Sequence, residues 1–249
     1  MNRKENILRL EDLHVEAGGT EIIKGIDLAI DKGDTHVIFG PNGSGKSTLL
    51  GAIMGLPQYE ITAGDIVYKG ESILDKSIAE RANSGLGMSF QTPPSISGLT
   101  LGNFLKRFGS DKRIEKLSED LGLKEHLDRD VNKGFSGGES KASEVLQLII
   151  QKPELVLMDE PDSGVDVENI RVFSQAIAKL LNHGDVERSG LIITHNGNIL
   201  DQIEPDYGHV LLKGVLSPSE DPYNIFEHLT ECGFKDCYDC LLRGERLEC

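Results

Sequence analysis

Residues 40–48, Gly-Pro-Asn-Gly-Ser-Gly-Lys-Ser-Thr, have the types and spacing that hold a polyphosphate. A glycine, four residues and then Gly45-Lys46-Ser47 aim successive backbone N–H groups at one anion. The positive end of a helix dipole adds to them. Gly40, Pro41, Asn42, Gly43, Ser44, Gly45, Lys46, Ser47 and Thr48 are therefore read as the nucleotide-binding loop, the P-loop. Lys46 reaches the β- and γ-phosphates, and the Ser47 hydroxyl ligates Mg²⁺. The frame agrees. Val37-Ile38-Phe39 is an apolar strand entering the loop, and Leu49, Leu50, Ile53, Met54 and Leu56 form one helical face that Gly55 and Pro57 help to end. A glycine turn that binds nothing does not explain the Lys-Ser pair.

Further polar groups stand at the ends of apolar strands, where ligands bind in open α/β sheets. Asp159 follows Leu155-Val156-Leu157-Met158 and reads as a carboxylate holding Mg²⁺ directly or through water. Glu160 beside it is the candidate base, or the group that orients water against the γ-phosphate. Gln91 follows the strand Gly85–Phe90 as a second Mg²⁺ ligand and water sensor, and His195 follows Leu191–Thr194 as a γ-phosphate contact. Each residue alone is weak, but their order relative to one P-loop is not. Ser136-Gly137-Gly138-Glu139 has capping-box spacing at a helix start, and its free N–H groups form a second anion site. One nucleotide does not need two such sites, so these four residues are expected to act on a nucleotide held by a second chain.

The elements that must position these groups alternate between strand and helix. Strands are expected at Ile7–Leu13, Ile22–Ile30 and Asp65–Tyr68, with a Gly18-Gly19 turn between the first two. A charged helix is expected from Lys112 to Leu127, then one after Ser136 with Val145, Leu146, Ile149 and Ile150 buried, and one from about Val167 to Leu181. The pattern predicts an α/β fold around a parallel core sheet. Residues 1–91 with 151–220 form the nucleotide-binding core, 92–150 a helical subdomain, and 221–249 a C-terminal extension.

Composition sets bounds. The 249 residues carry 26 basic against 41 acidic side chains, a net charge of −15, which argues against gripping nucleic acid by its phosphates. The N-terminus shows no signal-peptide core, and no apolar run approaches the roughly 18 residues of a membrane span, so a cytoplasmic protein is expected. All four cysteines, Cys232, Cys237, Cys240 and Cys249, lie in the last 18 residues, which suits a core built for a reducing compartment. Two readings of that tail stay open: reduced thiols, or a soft-metal site around Cys237-x-x-Cys240.

Taken together, the P-loop, Gln91, Phe135-Ser-Gly-Gly-Glu, Leu155–Pro161, Ser163-Gly-Val-Asp166 and His195 resemble the ordered motif set of ABC-type ATPases, from Leu8 to about Leu216. That resemblance implies the P-loop NTPase fold of ABC ATPases, with a parallel core sheet, an antiparallel β subdomain and a helical subdomain. It also implies ATP and Mg²⁺ as cofactors. Gly40 to Thr48 would be Walker A, Gln91 the Q-loop, Ser136 to Glu139 the signature, Asp159 and Glu160 Walker B and the catalytic carboxylate, Ser163 to Asp166 the D-loop, and His195 the switch histidine. Phe135 and Glu139 within the signature, Asp162 to Asp166, and Ile199 to Leu211 narrow the resemblance to the SufC family. These are the ATPase subunits of SUF-type iron–sulfur cluster assembly systems. The family implies SufB-like and SufD-like scaffold partners and an ATP-dependent homodimer; the alternative is the nucleotide-binding subunit of a membrane ABC transporter. The sequence departs from the narrower family at Ser140-Lys141-Ala142, where Lys-Lys-Arg is usual, at Pro161, and in the short spacer of 44 residues between Gln91 and Ser136. No aromatic occupies Val15-Glu16-Ala17, where many transporter ATPases stack adenine on a tyrosine.

Overall fold

A computed structural model describes residues 5–163, 165, 167–182, 188–194, 197–244 and 247. Strands β1 (Asn6–Ala17) and β2 (Thr20–Asp31) form an antiparallel hairpin across Gly18-Gly19. Helix α1 (Lys46–Met54) separates β3 (Thr35–Phe39) from β4 (Tyr59–Tyr68). With β5 (Glu71–Ser72), the antiparallel strands make a four-stranded sheet in the order β2-β1-β4-β5.

The second sheet adds β6 (Leu86–Ser89), β9 (Leu155–Asp159), β10 (Ser189–Ile193), β11 (Tyr207–Leu212) and β12 (Val215–Leu216), in the order β12-β11-β3-β10-β9-β6. Its pairs are parallel except at β12. Every residue of β3, β9 and β10 is buried, because both faces of this sheet are covered. Alternation divides them between two cores. Ile38, Leu155, Leu157, Leu191 and Ile193 face α1 and the antiparallel sheet. Val37, Phe39, Val156, Met158 and Ile192 face helices α5 (Gly137–Gln151), α6 (Val167–Asn182) and α8 (Pro222–Arg243).

Between Gln91 and α5 lie a two-stranded sheet, β7 (Ile96–Thr100) with β8 (Asp130–Val131), and helices α3 (Leu101–Leu105) and α4 (Asp111–Asp120). This region has its own core of Leu101, Leu105, Ile114, Leu123, Val131, Leu146 and Ile150. The charged helix stops at Asp120, short of the expected Leu127, and a 3₁₀ turn at Lys124–His126 follows. The expected stripe of α5 is in fact two stripes. Val145, Leu148 and Ile149 enter the sheet core, while Leu146 and Ile150 enter the subdomain core.

Several elements had no sequence signal strong enough to read, among them the core strand β11 and three helices. The first of these helices is α2 (Ile78–Asn83), started by a Ser77–Glu80 capping box. Its Arg81 is 2% exposed and donates to the carbonyls of Ala52 and Ile53 at the end of α1, at 2.9 Å each, and to those of Leu74 and Lys76. The second is the short α7 (Leu200–Ile203). The third is α8, begun by the Asp221 cap and Pro222 at its first turn. Residues 221–243 are thus no loose extension, for Ile225, Cys237, Tyr238 and Leu241 are buried in the sheet core.

The tail thiols divide as well. Cys232 is disulfide-bonded, which corrects the expectation of reduced or metal-bound thiols at that position. Cys237 and Cys240 are free, and burial pushes the Cys237 thiol up to about 11, away from the thiolate a metal needs. No three His, Cys, Asp or Glu side chains among the described residues form a metal-holding group. Cys249 lies outside the described residues.

Candidate functional site

Parallel pairing sets the site at one edge of the sheet. Ile193 is in register with both Ile38 and Asp159, so the ends of β3, β9 and β10 lie level. The P-loop leaves β3 there, Gln91 follows β6, and Glu160 follows β9. A cavity of about 700 Å³ opens at this edge, lined by the P-loop together with Ile22, Gln91, Glu160 and Phe234.

Helix α1 is built to receive an anion. Its N-cap is Gly45 with φ 110°, no side chain caps its first turn, and no acidic residue lies there. A Cβ at Gly45 would stand 2.9 Å from Ile23 Cδ1, so the turn requires glycine for both its φ and its space. The first-turn N–H groups are left to a ligand. The Lys46 ammonium donates to the carbonyls of its own loop, Gly40 at 2.8 Å and Pro41 at 3.1 Å. Burial lowers its pKa, while Glu160 and Asp159 nearby oppose that shift.

Ser47 and Asp159, two of the three expected Mg²⁺ ligands, are joined by a side-chain hydrogen bond. Asp159 is buried, and its Oδ1 has no hydrogen-bond partner among the described residues. Burial raises its pKa, and the Ser47 bond opposes that. A buried carboxylate oxygen beside a serine hydroxyl fits a hard divalent cation. Gln91 is placed differently: its Nε2 donates to Glu160 Oε2 at 3.0 Å. Glu160 sits at φ 46° with its N–H on the Ile193 carbonyl at 3.0 Å, so its backbone is pinned between β9 and β10 in a strained, left-handed conformation.

Ser136, Gly137, Gly138 and Glu139 do not line this cavity. Ser136 caps α5 through the Glu139 N–H, Glu139 returns a bond to the Ser136 N–H at 2.7 Å, and Ser136 and Gly137 are exposed. His195, Gly164 and Asp166 lie outside the described residues. Asp162 is buried and accepts a bond from the Thr194 hydroxyl at 3.3 Å.

Motif reading missed a clamp on the peptide of Phe90, the residue before Gln91. Lys141 donates to the Phe90 carbonyl at 2.7 Å and to the Asp159 carbonyl at 3.5 Å, and the Glu144 carboxylate accepts from the Phe90 N–H at 3.1 Å. Lys141 and Glu144 are one turn apart on α5, the spacing that puts two side chains on one face. Burial lifts Glu144 to about 7, against the opposing pull of the Phe90 N–H and Lys141.

An ABC transporter family model matches residues 23–163, which carry the P-loop, Gln91, Ser136–Glu139 and Asp159-Glu160. This chain belongs to the ABC transporter family. It is 38% identical over 250 residues to an Escherichia coli protein called probable ATP-dependent transporter SufC, covering 92% of this chain and 97% of that one. A Bacillus subtilis relative, vegetative protein 296, is 41% identical over 223 residues, covering 83% and 84%. A nucleotide-free ATP-binding cassette from an ABC transporter superposes with a TM-score of 0.74 at 26% identity, covering 94% of this chain and 98% of that one. The site is therefore that of an ABC ATPase, which binds and hydrolyses ATP, and the expected fold class holds.

Proposed function

We propose that the chain is the SufC-like ATPase subunit of a cytoplasmic iron–sulfur cluster assembly complex, in which ATP draws two copies together and remodels SufB-like and SufD-like scaffold proteins. One observation carries this reading: the 38% identity to SufC runs across nearly the whole of both chains. No helix among the described residues is long and apolar enough to cross a membrane. The assembly reading uses the chain in its expected parts, with 1–91 and 151–220 holding ATP, 92–150 presenting the signature, and 221–249 added after them.

In the proposed mechanism Lys46 leaves the Gly40 and Pro41 carbonyls for the β- and γ-phosphates, and the first-turn N–H groups of α1 hold the phosphate chain. Ser47, Asp159 and Gln91 would hold Mg²⁺, which when bound supplies charge neutralisation on the β- and γ-phosphates. Glu160 orients water and takes its proton as the water oxygen attacks the γ-phosphorus and the bond to the ADP oxygen breaks. Its bond to Gln91 ties that carboxylate to the loop entering the subdomain. His195 contacts the γ-phosphate. Ser136, Gly137, Gly138 and Glu139 act in trans; none of them lines the chain's own cavity, and Ser136 and Gly137 are exposed. Turnover of the isolated chain is slow: a closed dimer populated at about 1% lowers it roughly 100-fold.

The test is an affinity pull-down from native extract with ATP, using Glu160→Gln to hold the closed state. This variant is expected to bind ATP yet lose about 100-fold or more in turnover. Recovery of soluble SufB-like and SufD-like proteins, which also stimulate hydrolysis by the unmodified chain, is the expected result. Recovery of an integral membrane protein instead would overturn the assembly role and favour the nucleotide-binding subunit of a membrane transporter, a reading supported by the 0.74 TM-score to a transporter cassette.

A further inference from the structure

Among the described residues one aromatic side chain lines the cavity, and it comes from the far end of the chain. Phe234 lies on α8, directly after Gly233, where φ 83° and ψ 173° break the helix. Both arms of the break are anchored. Before it, Ile225 is buried and the Phe226 ring lies 6.1 Å from that of Phe39, at the end of β3. After it, Cys237, Tyr238 and Leu241 are buried in the same core. Phe234 itself is half-buried, packs on that core and lines the cavity. The left-handed φ favours glycine at 233 and fixes where the helix turns.

A nucleotide has a polyanionic end and a flat, apolar end. The N–H groups of α1 and Lys46 take the first. For the second, the β1 segment Val15-Glu16-Ala17 offers no aromatic, and Val15 is wholly buried in the core. Among the described residues, the apolar side chains lining the cavity are Ile22, Pro41 and Phe234, and of these only the ring is flat.

We infer that Phe234 covers the base of the bound nucleotide, so that the C-terminal helix supplies with Ile22 the base platform that β1 lacks. This rests on the ATPase reading of the cavity and adds to it the residue that separates a nucleotide from a bare polyphosphate.

Calorimetric titration of the full-length chain with Mg-ATP, and separately with Mg-tripolyphosphate, tests the inference. Tripolyphosphate fills the P-loop but has no base. Stacking of a base on an aromatic ring is worth about 1–3 kcal/mol, and a half-buried ring belongs at the low end. Phe234→Ala is therefore expected to raise the Kd for ATP by about 5- to 20-fold and to leave that for tripolyphosphate unchanged. Phe234→Leu, which keeps the packing without the flat face, should lose most of the same affinity. The chain contains no tryptophan, so Phe234→Trp is a single reporter whose emission should respond saturably to ATP and not to tripolyphosphate. Equal weakening towards both ligands, unchanged binding of both, or tighter binding by Phe234→Ala would overturn the inference while leaving the ATPase reading intact. Failure of the unmodified chain to bind ATP would remove both.

Discussion

Replacing Glu144 by glutamine should make the protein more stable at alkaline pH and leave it unchanged at acid pH. The Glu144 carboxyl is buried against the Phe90 N–H and titrates at about 7 instead of 4.5. The folded chain therefore keeps a proton that the unfolded chain releases. Stability is full below pH 4.5 and falls as pH rises through about 7, after which an ionised carboxylate stays buried. A shift of about 2.5 units corresponds to about 3 kcal/mol. Glutamine retains a carbonyl to accept from Phe90 and cannot ionise. For a chain of this size about 3 kcal/mol moves the melting temperature by roughly 6–12 °C. Thermal melts followed by far-ultraviolet circular dichroism should coincide for the two proteins at pH 4, with Glu144→Gln melting higher by that amount at pH 8.5. Equal melting at pH 8.5, or a less stable variant there, would refute the argument, for it would mean that the ionised carboxylate is well solvated or balanced by Lys141.

Acid stability should be limited by a second buried pair. His36 and His209 stack with Nδ1 and Nε2 3.0 Å apart, His209 also faces the Ser217 carbonyl, Asp34 lies near His36, and burial pushes both imidazoles down to about 4. Between pH 6.5 and 4 the unfolded chain gains protons that the folded pair refuses, so stability falls by up to about 3 kcal/mol for each imidazole. The opposite slope of Glu144 offsets part of this, so melts at pH 7, 5.5 and 4.5 should show the decline most clearly in Glu144→Gln and lose it in a His36→Leu/His209→Leu double variant of that background. Arg81→Met should cost about 3 kcal/mol in urea unfolding, because it strips four buried or half-buried carbonyls of a charged donor. Arg81→Lys, with one compact ammonium for four acceptors, should restore only part of that loss.

What was legible in the sequence follows from how local each cause is. The P-loop, the Ser136 cap and the apolar strands before Asp159 and Ile193 are written in contiguous residues, and each stands where local chemistry puts it. The divided stripe of α5 was not legible. Leu146 and Leu148 are equally apolar, and only tertiary packing decides which core each enters. Helix α8 hid for another reason: Gly233 and four acidic residues in 22 dilute its pattern. Arg81, Glu144 and Phe234 act across long separations in sequence, 29, 54 and about 190 residues from their partners, and no motif announces such pairs. Phe234 had one indirect signal, the missing aromatic near Val15, which leaves a base without a platform.

The two-sided burial of α5 makes it an axle shared by two bodies. The subdomain core and the sheet core both close on this one helix, and Ser136 caps its N-terminus. To bring Ser136 nearer to or farther from a facing P-loop, the axle itself must tilt. Tilting drags Val145 and Leu148 across the sheet core and pulls, through Lys141 and Glu144, on the peptide just before Gln91. Gln91 in turn holds Glu160. A partner that levers the axle would register at Glu160, the carboxylate in the cavity wall.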